Sequence, residues 1–400
     1  MLRSLLFVPG DSDKKLSKAE TSAADALILD LEDAVAIDRL PVARGMVQDY
    51  LRARGDRSRQ QLWVRINPLA TPLSLPDLVA VLPGRPDGIL LPKSTPADVA
   101  QLDHFLTALE AREGLAAGST RIMSVSTETP AAVFALQGFA GCSPRLAGLT
   151  WGAEDLSTAI GASTNRDESG EFDLTFRMAR SLCLLAAANA GVQAIDTLTA
   201  DFRDDALLAR EVRRARRAGF TGKIAIHPAQ VDGINAGLTP DAAELAHAQR
   251  IVDAFAAAGG AGAVQVDGKM VDKPHLTQAI NVLAAARAGR RAERGGYIRP
   301  EEEQWQRRDH EERERDADAQ PQEDPDRLMP PITGREQLAR VHAVAARVAR
   351  WALGKLCGRA LGHQLRDAPH VFGVVRDDQG VGVRIGDDGI VRRDQRAHSL

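Results

Sequence analysis

The chain has 400 residues, longer than a usual single domain, with 44% hydrophobic and 26% charged residues; this ordinary globular composition excludes a wholly disordered or fibrous chain. A formal net charge of -3, with no basic stripe in the part before the charged stretch described below, excludes a generic nucleic-acid surface, so an anionic ligand must be caught locally. Aromatic residues make up only 4%, which leaves Leu, Val, Ala and Ile to fill the core.

The first segment, MLRSLLFVPG, is too short and too soon interrupted by Asp11, Asp13, Lys14 and Lys15 to be a signal peptide or membrane span, and it reads as a first strand. Apolar runs then recur at Leu5 to Val8, Ala26 to Leu31, Leu62 to Ile66, Gly88 to Leu91, Arg121 to Ser126 and Leu146 to Thr150, with two more at Ala194 to Ile195 and Lys223 to Ile226. Helix-sized segments separate them. Asp13 to Glu20 is one, Thr95-Pro96 opens another to Glu110, and Asp204 to Arg217 carries an apolar stripe at Leu207, Leu208 and Val212. Near-continuous hydrophobic strands alternating with helices predict parallel strands buried on both faces. Eight such units predict an α/β fold, a (β/α)8 TIM barrel over residues 1–240.

Beyond it, a helix from Asp241 to Ala258, a turn at Gly259, Gly260 and Gly262, a segment Val264 to Asp272 and a helix from Pro274 to Arg287 predict a C-terminal helical lid or oligomer extension over 241–290. Residues 291–331 are dense in charges of both signs with almost no apolar anchors, a composition that does not offset ordering entropy and predicts a disordered linker. Residues 332–400 form a small tail of unassigned role, either an appended module or out-of-frame sequence. Its pattern predicts a helix from Ile332 to about Leu361 and a short hairpin from Val371 to Val391. Cys142, Cys183 and Cys357 are far apart and lack metal-ligand spacing, which suits reduced thiols in a cytoplasm.

The informative polar residues follow the apolar runs, and in a parallel barrel the C-terminal strand ends share one rim. Glu128 follows the fifth run and Asp155 the sixth. An isolated acid of this kind more often caps a helix or lies solvated in a loop. Two on adjacent strands instead suit magnesium, which takes one or two protein carboxylates and completes its octahedron with water and substrate. Arg65 follows Leu62, Trp63 and Val64 and points toward the same rim, where a guanidinium can grip a carboxylate or carbonyl oxygen. The alternative is a structural ion pair with Glu32 or Asp33. Those two acids otherwise serve to orient metal-bound water and Arg65. Lys93 and His227 are candidates to meet the phosphate or acyl-carrier end of a ligand. Gly10 and Gly152 would let the backbone approach a ligand closely. The catalytic region has no Walker sequence, dinucleotide glycine pattern or nucleophile elbow, which weakens nucleotide transfer, hydride transfer and serine hydrolysis together.

Taken as a set, the strings Arg3-Ser4-Leu5-Leu6-Phe7-Val8-Pro9-Gly10, Asp30-Leu31-Glu32-Asp33-Ala34-Val35, Val64-Arg65-Ile66-Asn67, Leu91-Pro92-Lys93, Trp151-Gly152-Ala153-Glu154-Asp155-Leu156, Ala194-Ile195-Asp196-Thr197 and Ala225-Ile226-His227-Pro228 carry a resemblance. They resemble the citrate lyase beta-subunit and malyl-CoA lyase group of the HpcH/HpaI aldolase/citrate lyase family, over about residues 2–290. The resemblance implies a magnesium-dependent TIM barrel, a homotrimer or dimer of trimers, that cleaves or forms hydroxyacyl thioesters, with coenzyme A as part of the substrate. It implies Glu128 and Asp155 as metal ligands, Arg65 and Glu128 as substrate contacts, and Arg65 and Asp272 as catalytic residues. Asp272 lies in Gly268-Lys269-Met270-Val271-Asp272-Lys273-Pro274, which resembles the segment that delivers an Asp to a neighbouring subunit in the coenzyme A lyases of the family. That match favours a free coenzyme A thioester over a carrier-bound citryl group, because subunits of the citrate lyase complex tend to lack this lid. The implied activity is a carbon-carbon lyase acting on malyl-, citramalyl- or citryl-CoA. A thioesterase on the same substrates, a citrate lyase beta subunit and a non-catalytic assembly subunit are the competing readings.

Overall fold

A computed structural model describes residues 1–293 and three short strand segments at 375–376, 382–385 and 391–393. Eight strands, β1 (Ser4–Pro9), β2 (Ala26–Asp30), β3 (Gln61–Arg65), β4 (Gly88–Leu91), β5 (Arg121–Val125), β6 (Leu146–Thr150), β7 (Gln193–Asp196) and β8 (Gly222–Ala225), pair in parallel in chain order. Strand β8 returns to β1, with Leu5 opposite Ile224, and closes the barrel. Each strand agrees with its apolar run to within one residue at either end. Helices α1 (Asp13–Glu20), α2 (Leu40–Ala53), α3 (Ser74–Val81), α4 (Pro96–Glu113), α5 (Pro130–Ala135), α6 (Ala153–Ile160), α7 (Leu174–Ala190) and α8 (Asp205–Ala218) fill the crossovers, and α9 (Val231–Leu238) follows β8.

The strands are hydrophobic throughout because both faces are buried. Leu6, Leu27, Leu29, Val64 and Ile89 belong to the core between sheet and helices, while Leu5, Ile28, Trp63, Leu90, Met123, Ile195 and Ile224 form a second cluster inside the barrel. Truncating a residue such as Ile28 to Ala would cost about 2–5 kcal/mol. Trp63 pairs in register with Gly88, where a Cβ would lie 2.2 Å from the indole, so glycine is what admits the ring. Helix α4 starts on a reciprocal cap between Thr95 and Asp98 with Pro96 in its first turn, and it stops at the left-handed Gly114.

After the barrel, α10 (Ala242–Ala257) leads into an antiparallel hairpin of β9 (Ala263–Val266) and β10 (Lys269–Asp272), followed by α11 (Lys273–Glu293). Asp267 and Gly268 turn the hairpin with φ of 52° and 77°. Ala248, Ile251, Phe255, Val266, Val271 and Ala279 give this extension its own small core. The chain divides into two compact units, Met1–Glu312 and Arg313–Leu400. In the second, β11 (Val375–Arg376), β12 (Gly382–Ile385) and β13 (Val391–Arg393) form a three-stranded antiparallel sheet where a two-stranded hairpin was expected. The expected linker beyond Glu293 and the helix expected from Ile332 lie outside the described residues. No helix among the described residues is long and apolar enough to cross a membrane.

Candidate active site

The barrel brings the charged residues of five strand ends to one rim. Asp30 closes β2, and Glu32 and Asp33 follow it; Arg65 closes β3; Lys93 lies just past β4; Glu128 lies past β5; Asp155 stands in the first turn of α6, which follows β6. Arg65 is gripped by Asp30, its Nε and Nη2 each donating at 2.7 Å to the two carboxylate oxygens. Its Nη1 lies 2.9 Å from Glu32 Oε2 and 3.6 Å from Asp33 Oδ2, and its plane stacks 4.5 Å from the Phe7 ring. The ion-pair reading of Arg65 is thus realised with Glu32 and Asp33, and Asp30 adds the main, two-pronged partner. Burial opposes the charge, but hydrogen bonds and the field of Asp30, Glu32 and Asp33 hold the guanidinium firmly protonated.

Lys93 links three strand ends. Its backbone, in the left-handed region at φ 48°, turns the main-chain N–H onto Glu128 Oε2 at 2.6 Å. Its ammonium donates to Glu32 Oε1 at 2.6 Å and lies 3.1 Å from Asp155 Oδ1 and 3.6 Å from Asp33 Oδ2. Glu128 and Asp155 therefore converge on one residue, Glu128 on its main-chain N–H and Asp155 on its ammonium. The ammonium faces carboxylates.

Five carboxylates, Asp30, Glu32, Asp33, Glu128 and Asp155, share two cations, Arg65 and Lys93. Burial, and then the neighbouring Asp155 carboxylate, push Glu128 from 4.5 up to about 8, against the pull of the Lys93 N–H. Burial likewise lifts Glu32 from 4.5 to about 7, although Arg65 and Lys93 pull it down. Glu32 Oε2 is buried and makes no hydrogen bond, so its closeness to Arg65 Nη1 is a charge contact without hydrogen-bond geometry. Gly152 gives Glu128 its room: a Cβ there would lie 2.8 Å from Glu128 Cγ. Gly10 is closely packed as well: a Cβ would meet Asp30 O at 2.7 Å and Val47 Cγ2 at 2.8 Å. Both glycines serve contacts within the chain.

His227 lies past β8, stacked on Phe202 at 4.5 Å, with its Nδ1 accepting from the Ala229 N–H at 3.2 Å. Asp272 ends β10, about half exposed, and pairs with His275. Among the described residues no hydrogen bond or ion pair is found between either residue and the rim carboxylates. The sequence reading missed Asp30, although it stands in the Asp30-Leu31-Glu32-Asp33 string. It also missed the left-handed Lys93, for which only the preceding Pro92 is a signal. A cavity of about 750 Å³, lined in part by Leu2, Trp63, Met123 and Gln193, opens at the opposite, N-terminal end of the strands. Gln61 and Gln193 there are already bonded, to the Trp63 N–H and the Leu2 backbone.

The family model described as HpcH/HpaI aldolase/citrate lyase matches residues 3–228, more than half of the chain. The chain belongs to the HpcH/HpaI aldolase/citrate lyase family. Within this family it is 37% identical over 287 residues to the citrate lyase subunit beta of Escherichia coli, covering 71% of this chain and 93% of that one. It is 34% identical over 291 residues to a (3S)-malyl-CoA thioesterase of Cereibacter sphaeroides, covering 72% and 95%. The structure of CitE from Mycobacterium tuberculosis in complex with magnesium, acetoacetate and coenzyme A matches with a TM-score of 0.58 and 33% identity, over 71% of this chain and 97% of that one. The citrate lyase match of 287 residues is longer than the barrel, so an extension after β8 does not by itself separate free from carrier-bound thioesters.

Proposed function

We propose that the chain is a magnesium-dependent carbon-carbon lyase that cleaves a small hydroxyacyl-CoA, of the malyl-, citramalyl- or citryl-CoA kind, to an acyl-CoA and a keto acid. The observation that carries this reading is the meeting of Glu128 and Asp155 on Lys93 beside a fixed Arg65. The group fits a hard dication. Its donors are all oxygen, its carboxylates outnumber its cations, and Glu32 Oε2 is buried with no hydrogen bond. No cluster of three or more His, Cys, Asp and Glu able to hold a metal occurs among the described residues, so the protein would offer two carboxylates and leave the other positions to water and substrate. Magnesium bound by Glu128 and Asp155 supplies Lewis-acid polarisation of the substrate hydroxyl and carboxylate.

Arg65, locked by Asp30, keeps its positive charge where the thioester enolate develops, so little reorganisation is needed during the reaction. Glu32 and Asp33 hold Arg65 and Lys93 in place, and Lys93 holds Glu128 by its N–H. Asp272, brought by a neighbouring subunit of a trimer or hexamer, gives the proton to the enolate carbon or removes it in the synthetic direction. His227, flat against Phe202, is the residue left for the coenzyme A end of the substrate. The free thiols Cys142 and Cys183 suit a cytoplasmic site of action.

A second reading, hydrolysis of the same thioesters, is favoured by the 34% identity to the malyl-CoA thioesterase, and a third, a carrier-dependent citrate lyase subunit, by the 37% identity to the citrate lyase beta subunit. Incubating the purified chain with magnesium and a panel of malyl-, citramalyl- and citryl-CoA, then identifying products by mass spectrometry, separates them. The expected result is an acyl-CoA plus a keto acid, lost on chelation. Free coenzyme A as the first product replaces the lyase by a thioesterase. Turnover of a carrier-bound citryl group alone replaces it by the complex subunit.

A further inference from the structure

The Asp272 carboxylate does not stand alone. Strand β10 ends on it and α11 begins at the next residue, so His275, three residues on and one turn into the helix, is set back against it. His275 Nδ1 lies 2.5 Å from Asp272 Oδ1 and 3.3 Å from the Asp272 backbone N. A neutral imidazole with a bare Nδ1 can accept from that N–H, whereas an imidazolium has only donors and must turn its Nδ1–H to the carboxylate. One ring position thus serves two bonds, and the proton decides which is made.

We propose that His275 is the positioning residue for Asp272, the two forming a single carboxylate-imidazole couple that holds the proton exchanged with the substrate carbon. This rests on the reading of Asp272 given above. When the couple delivers its shared proton through the Asp272 carboxyl to the enolate carbon, a C–H bond forms and a carboxylate beside a neutral imidazole remains. The couple, short of one proton, regains it from water as an imidazolium whose Nδ1–H is bonded to the carboxylate. In the reverse direction the carboxylate removes the proton from carbon and the couple returns it to water. The hydrogen bond from His275 holds the Asp272 carboxyl below the usual carboxylate range, as a base in the synthetic direction requires.

The other charged groups around the couple are committed or set aside. On α10, Arg250 and His247 meet Asp267 at the hairpin tip, Glu244 pairs with Arg216, and Asp253 bonds Gln249. Lys269 of β10 and Lys273 of α11 flank the couple, and among the described residues neither has a hydrogen bond or ion pair to it. The imidazole is thus the one titratable group bonded to Asp272 among the described residues.

The test uses the full chain with magnesium in heavy water and follows deuterium entering the α-carbon of acetyl-CoA and propionyl-CoA across pH. Asp272→Ala is expected to lower exchange by about 10²-fold or more, the usual weight of a positioned acid or base. His275→Gln is expected to lower kcat by about tenfold, leaving KM and calorimetric magnesium affinity unchanged, and to erase one limb of the wild-type pH profile. Lys273→Gln should keep that limb. A His275→Gln profile parallel to wild type while Asp272→Ala is inactive overturns the couple alone. Wild-type exchange in Asp272→Ala, or no exchange of either thioester by the wild type, overturns the reading of Asp272 and the couple with it.

Discussion

Two acid groups at the C-terminal ends of the strands, each centred on a buried carboxylate, differ in how they are neutralised. Around Glu128 five carboxylates share two cations, and burial lifts Glu128 to about 8 and Glu32 to about 7. Asp196, which closes β7, is as deeply buried, yet its carboxylate accepts from Trp151 Nε1 at 2.7 Å and from Arg180 Nε and Nη2 at 2.9 and 3.1 Å. Burial there pushes upward too, but Lys223, Arg180 and the indole overcome it and hold the carboxyl below the usual range. Lys223 itself donates to the Thr197 carbonyl at 2.7 Å and lies 3.6 Å from Glu211. Burial therefore does not distinguish an acid that binds or reacts from one that ties a strand to its helix. The unmet demand for positive charge does.

The largest expected effects separate the two groups directly. Glu128→Gln and Asp155→Asn should each lower turnover by about 10³-fold, since each removes charge from a proposed metal ligand, while the protein still melts cooperatively. Asp196→Ala should do the reverse, costing about 3–5 kcal/mol because it leaves the buried Arg180 guanidinium without its carboxylate. Any activity it loses should follow the fraction unfolded. Urea denaturation beside single-turnover assays reads both. Similar loss of stability in the two sets would dissolve the contrast.

The groups should also tilt stability with opposite signs. Glu128 and Glu32 have folded values above the ordinary 4.5, so the stability they contribute is complete below that value and is lost as pH rises through about 7 to 8. Asp196 is depressed below 3.8; its contribution is complete above that value and is lost as pH falls through the lower folded one. In a chelator, the melting temperature should drop by roughly 5 °C between about pH 5 and pH 8, and Glu128→Gln should flatten that slope while Asp196→Asn flattens the acid limb instead. Magnesium should restore the wild type at the upper end of the range. A slope unchanged in Glu128→Gln would place the titrating group elsewhere.

The barrel was legible because burial on both faces forces long apolar runs, and eight of them leave a mark that composition does not hide. Helix α1 falls on Asp13–Glu20 as read. Helix α7 passed unread: its outer face carries Leu174, Met178, Leu182 and Leu185, all exposed, so no polar stripe sets the period. The rim acids were legible as residues following strand ends. Their partners were not, because the choice between Asp30 and Glu32 for Arg65 depends on register, and the Lys93 bond to Glu128 depends on a positive φ that no side-chain pattern encodes. His275 had a local signal, an acid followed at the third position of a proline-started helix, but its meaning appears only with the Asp272 distance.

The smallest expected effect probes the closest packing in the acid-rich group. Gly152 has φ -121° and ψ 124°, a conformation open to alanine, so Gly152→Ala strains no backbone. The added Cβ would lie 2.8 Å from Glu128 Cγ and 3.0 Å from Oε1. Glu128 is not free to swing away, because its Oε2 is held by the Lys93 N–H at 2.6 Å. The carboxylate must tilt or give up that bond, and either change moves one proposed metal ligand while Asp155 stays. Magnesium affinity should weaken about tenfold, the lower end of what displaced supporting contacts cost at metal sites, with stability changed by less than about 1 kcal/mol. Titration calorimetry beside thermal melting reads the two apart. Wild-type affinity in this variant would mean that a displaced Glu128 still binds as well, and the tight fit at Gly152 would then have no part in setting the metal site.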